Sequence, residues 1–163
     1  MTIEEWAREP RATRLERLTR LPDELATAIQ HQSEDVLSRR PDGKNWAAKE
    51  VICHLRDTEE VFGVRMEQVL AMDVDPTVVI TNPDRWAEER QYLRNDVGDA
   101  LAAFGRRRTE TLAVFAKLTP ADWEKAALHP TLGRLTLDGF LSVMAFHDDI
   151  HLDQLMRALD GRA

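Results

Sequence analysis

Two histidines four residues apart, His147 and His151, lie in a segment whose apolar residues Leu137, Phe140, Leu141, Met144, Leu155 and Leu159 recur with helical period. Residues i and i+4 of a helix share one face, about one turn apart. Both imidazoles can therefore point at one spot, which is the geometry of a metal ligand pair. A third histidine, His54, falls on the inner stripe of an earlier segment reading Val51, His54, Leu55, Thr58, Val61, Phe62, Arg65, Met66, Val69. Neutral imidazole is a ligand suited to divalent first-row metals, and three such ligands leave a coordination position open to water or substrate. A cation held this way lowers the pKa of water or polarises a thiol or carbonyl.

Metal-bound imidazoles need an acceptor on the other ring nitrogen. Glu50, Asp57 and Asp148 are the candidates nearest in sequence, with Asp149 and Asp153 beside them. The spacing alone leaves a second reading open, because buried histidines also pack against a carbonyl or carboxylate without any metal. Cys53 points roughly 100° around the helix from His54 and reads as a small buried hydrophobe. Trp46, Trp86 and Trp123 read as plugs at the ends of a helical assembly. His31 and His129 fall at segment ends or turns and read as solvent-facing, His129 also as a candidate pocket rim. Arg65 is the one cation on the inner stripe. It is either a contact for a substrate anion or a side chain snorkelling from the stripe edge.

Four long periodic segments must position these groups. The first carries Leu15, Leu18, Leu21, Leu25 and Ile29, with Pro22 predicting a kink or restart. Ser33 caps a single turn, and Asn45 is expected to cap the second long helix at Trp46. Residues 73–90 have no sustained period and read as a long crossover. A third helix is expected from about Gln91, with Val97, Leu101, Phe104, Leu112, Phe115 and Leu118 facing inward. Thr119-Pro120-Ala121-Asp122 starts a short helix, and His129–Leu135 reads as an extended turn. Thr136 caps the last helix. The pattern predicts an all-α fold, an up-down four-helix bundle with a long crossover, as one domain over residues 1–163; metal sites in such bundles are built between facing helices.

A formal net charge of −7 opposes binding to phosphate backbones, so nucleic acid is not expected as a partner. The run Arg106-Arg107-Arg108 reads as a solvated helix face. The single cysteine excludes an internal disulfide framework. No apolar run approaches the ~18 residues that span a bilayer, and the acidic Met1–Glu5 stretch is no signal peptide, so a cytoplasmic protein without membrane contact is expected.

The run Arg40-Pro41-Asp42-Gly43-Lys44-Asn45-Trp46-Ala47-Ala48-Lys49-Glu50-Val51-Ile52-Cys53-His54-Leu55-Arg56-Asp57-Thr58-Glu59 resembles the RP-x-GKW-xx-EV-xx-HL-x-D-xE signature of the DinB/YfiT-like superfamily, with Asn45 as a departure before the tryptophan. Leu135–Phe140 with His147–Leu155 resembles the closing helix of that family, and Pro83–Tyr92 its crossover. The resemblance implies a four-helix bundle, often a homodimer, with zinc, nickel, iron or manganese on three histidines, here His54, His147 and His151. It also implies a small-molecule substrate and either transfer of a low-molecular-weight thiol or hydrolysis, with thiol transfer slightly preferred. The competing expectation is a metal-binding or stress-response interaction protein without catalysis.

Overall fold

Helix-forming runs punctuated by good N-caps produce most of the architecture of the computed structural model, which describes residues 1–163. The helices are α1 (Ile3–Arg8), α2 (Arg11–Ile29), α3 (Glu34–Ser38), α4 (Ala48–Ala71), α5 (Pro83–Glu89), α6 (Val97–Lys117) and α7 (Leu137–Leu159). Side-chain oxygens of Thr2, Ser33, Asn82, Asp96 and Thr136 each take up an orphan amide at a helix start. No helix is long and apolar enough to cross a membrane.

The long helices α2, α4, α6 and α7 form a four-helix bundle in which α2 and α4 each pack on both α6 and α7. His54, early in α4, meets His147 and His151 late in α7, while Phe62 further along α4 meets Phe140 near the start of α7, so this pair is antiparallel. Arg14 of α2 reaches Asp138 and Ser142 at the start of α7, and Arg20 to Ala28 share a groove with Leu152 and Met156 near its end; these two run parallel. Glu59 pairs with Arg108, and Glu67 lines a cleft with Val114, so α4 and α6 are parallel too. The expected bundle with its long crossover is present. The crossover carries the chain back to the starting end, so the helix directions run up-down-down-up.

Several local expectations need correction. α2 continues through Pro22 as one helix without a restart, and the carbonyl that proline leaves without an amide partner is used elsewhere. α4 begins at Ala48, where the Glu50 carboxylate accepts from the Ala47 amide at 2.9 Å. α6 starts at Val97 behind the Asp96 cap, with residues 92–94 forming a 3-10 turn instead. The extended turn is an antiparallel hairpin, β1 (Ala126–His129) with β2 (Gly133–Thr136). Apart from these corrections, α1 is held to α7 through Trp6, which is buried and whose indole N–H donates to Asp149 at 3.0 Å.

The core is divided. One apolar cluster holds Leu21, Leu25, Val51, Ile52, Leu55, Phe104 and Leu155; the other holds Leu18, Phe62, Met66, Phe115, Phe140, Leu141 and Met144. Between them, at the level of residues 54–59 of α4 and 147–151 of α7, the interior is polar.

Candidate metal centre

Part of that polar layer consists of imidazoles. His54 is buried, His147 and His151 are half-buried, and one nitrogen from each lies within 4.8 Å of the others. His54 Nε2 and His147 Nε2 are 3.1 Å apart, and the rings of His147 and His151 sit 4.3 Å centroid to centroid. Two imidazole nitrogens bound at ~2.0–2.1 Å to one tetrahedral cation would be about 3.3–3.4 Å apart, so the observed pair has the right spacing. Burial, aided by the charge of His151, pushes the His54 imidazole down to about 3. Burial likewise holds His147 and His151 below their ordinary range. All three are neutral near pH 7, with lone pairs available to a cation. The donor set therefore fits a divalent first-row metal.

The partners of these rings are not the acids nearest in sequence. His151 Nδ1 lies 2.7 Å from the Gln154 Oε1, so this nitrogen carries the proton and donates it, leaving Nε2 with its lone pair. Thr58 Oγ1 stands 3.4 Å from the His54 ring. Glu50 is taken by Arg40 and the α4 cap, Asp57 by Arg56, Arg90 and Tyr92, Asp148 by Arg108, and Asp149 by Trp6 and Arg17. None hydrogen-bonds an imidazole. Each lies on the helix face turned toward an arginine of a neighbouring element, which a count along the chain does not reveal. Gln154 was detectable as the residue three beyond His151 on the same face.

Trp46 closes one side of the cluster. Its ring lies 4.9 Å from His54 and, nearly parallel, 6.5 Å from His151, a wall of the site and not merely a bundle-end plug. Trp86 instead underlies Arg90, and Trp123 stacks on Phe115. Beside Trp46 a recess of about 220 Å³ exposes His151 and Gln154, and the crossover supplies its far wall through Pro83 and Asp84. Arg65 is not part of it. It lies eleven residues beyond His54, roughly 16 Å along the helix, where its guanidinium donates to the Val79 carbonyl at 2.6 Å. Cys53 is buried, points at the Tyr92 carbonyl, and has its thiol pushed up to about 11 by burial, which makes it a poor nucleophile. His31 is exposed, and His129 Nδ1 accepts amides of the hairpin turn.

Asp57 pins the crossover to α4 one turn from His54, accepting from Arg56, Arg90 and the buried Tyr92 hydroxyl, each at 2.7 Å. Burial works against its charge, yet these donors outweigh burial and hold the carboxyl below the usual range. A carboxyl depressed on folding contributes stability that is complete above its unfolded pKa and disappears as pH falls through the folded one. Asp57→Asn is expected to lower the urea midpoint at neutral pH, and the gap to the native chain should close as pH drops below about 4.

A family model described as the DinB superfamily matches residues 17–155. The chain belongs to the DinB superfamily. The match spans α2 to α7 and so includes all three histidines. Two curated relatives, each provisionally named a metal-dependent hydrolase, are similar to this DinB-superfamily chain. The one from Bacillus mycoides (strain KBAB4) is 25% identical over 150 residues, covering 91% of this chain and 80% of the relative. The one from Oceanobacillus iheyensis is 24% identical over 150 residues, covering 92% and 81%. The fold is that of YfiT from Bacillus subtilis, described as a probable metal-dependent hydrolase with an unusual four-helix bundle topology: TM-score 0.85, 19% identity, 96% of this chain and 90% of that one covered.

Proposed function

We propose that His54, His147 and His151 hold one divalent cation and that the chain is a metal-dependent hydrolase of a small molecule. The observation that carries this is the meeting of three neutral ring nitrogens, from two helices, beside an open recess. A donor set of imidazoles alone suits zinc, nickel or iron better than manganese. When bound, such a cation supplies Lewis acidity that makes water nucleophilic near neutral pH and polarises a carbonyl.

The protein's own contribution is orientation and shape. Gln154 holds His151 in the tautomer that leaves Nε2 its lone pair, and Trp46 keeps bulk water off one side. Asp84, carried by the crossover, is the one carboxylate on the recess wall. Hydrolysis is preferred to thiol transfer because the recess is small and Lys44 is its only cation, too little to clamp a bulky anionic thiol. The open recess argues against pure sequestration, since structural sites close their coordination sphere.

The test is to load metal-free protein with zinc, nickel or iron, count bound metal, and assay a panel of esters and amides. One equivalent per chain and hydrolysis that a chelator abolishes are expected; protein that retains no metal would end the reading. Gln154→Leu should keep native stability while weakening metal affinity about 10- to 100-fold.

A further inference from the structure

The rest of the polar layer is a buried arginine cluster without contact to the recess. Arg108 of α6 is 2% exposed, which corrects its assignment to a solvated face. All five of its N–H groups are used. Nε and Nη2 grip Glu59 of α4 at 3.0 and 2.9 Å, Nη1 and Nη2 grip Asp148 of α7 at 2.6 and 2.9 Å, and Nη1 also donates to the Leu18 carbonyl of α2 at 2.9 Å. That carbonyl is free because the residue four positions on is Pro22, which has no amide hydrogen to give it. One guanidinium thus touches all four bundle helices.

We propose that Arg108 is the positioning residue of the metal centre: it fixes the register of α4 against α7, and with it the distance between His54 and the His147/His151 pair. This rests on the three-histidine reading above. Asp148 directly follows His147, and Glu59 lies five residues after His54, so one end of the fork is tied to a ligand-bearing turn and the other to the turn next to one. The apolar clusters on either side hold the two helices together without direction, and ridge packing accepts crossing angles scattered by about 15–20°. A coordination sphere accepts ligand displacements of only about 0.2 Å. A planar, doubly bidentate guanidinium supplies the missing geometric constraint. Stability is a poor reason to keep such a cluster, since apolar groups of similar volume usually replace buried ion networks at no cost.

The test replaces the whole cluster, Arg108→Met with Glu59→Met and Asp148→Leu, so that no charge is left buried alone. Helicity and urea midpoint are expected to be retained. Zinc affinity by chelator competition should fall at least about tenfold, as for lost outer contacts to ligands, and the visible spectrum of the cobalt form should change. In metal-free protein, the nuclear Overhauser contact between the His54 and His147 rings should weaken or vanish. Arg108→Lys, which keeps charge but not the fork, should give the same ring and zinc effects in smaller measure, and it decides the matter where the triple variant does not fold. Unchanged ring contact, zinc affinity and cobalt spectrum in a folded variant would overturn the proposal. Native protein that binds no zinc, with a ring contact that the variants still lose, would overturn the metal reading and leave the register role standing.

Discussion

Replacing His147 with alanine is expected to abolish retention of a divalent cation after gel filtration, while the bundle stays folded. His147 Nε2 faces His54 Nε2 at 3.1 Å, and its ring is the one that packs edge-on against Phe62. Of the three proposed ligands, it is thus the one that contacts both the facing imidazole and an aromatic ring of the core. With it gone, His54 and His151 remain on separate helices, and two imidazoles without a carboxylate make a weak site. The loss in affinity should exceed the 10- to 100-fold typical of removing a partner outside the coordination sphere. Hydrolysis dependent on the cation should fall to the uncatalysed background. Elemental analysis of native and His147→Ala protein, purified side by side, checks this; equal metal content in both would remove His147 from the ligand set.

Arg108→Met alone is expected to destabilise the bundle as much as the loss of a large core side chain. It strands Glu59 and Asp148, whose side chains are 2% and 1% exposed, as uncompensated buried acids. Burial by itself would lower the Arg108 pKa, but the charges of Asp148 and Glu59 outweigh burial and raise it. Burial holds the Asp148 carboxyl up at about 6 even against the pull of Arg108. Removing one partner of such a buried pair costs about 3–5 kcal/mol. For a chain of this length that corresponds to a fall in Tm on the order of 10 °C. Thermal unfolding followed by circular dichroism gives the answer directly. A shift of a degree or two would mean that water reaches the cluster and solvates the stranded acids.

Much of the site was legible in the chain itself. The spacing of His147 and His151 within an apolar stripe, and the place of His54 on another, put three ligand-type residues on inward faces before any packing was known. Arg108 carried an equivalent signal that composition obscured. Ala100, Phe104, Arg108, Thr111 and Phe115 are the buried residues of α6, at steps of three and four, so Arg108 sits in mid-stripe. Reading the three-arginine run as a block hid the one member pointing inward. Arg65, by contrast, is on the right stripe and the wrong turn, because a shared face does not imply a shared height.

What the chain alone determined is the set of helices, their caps, and which residues look inward. Those follow from periodicity and local hydrogen bonding, which act over a few residues. Which inward residues meet was decided by the tertiary structure. The long crossover makes α4 and α6 parallel, and this sets Arg108 opposite Glu59 and Asp148. The fold also brings Arg40, Arg90, Arg108 and Arg17 to the acids near the histidines, so that none of those acids partners an imidazole. A carboxylate pairs with whatever cation the neighbouring helix brings to its level, and that level depends on helix direction and register, which no local pattern encodes.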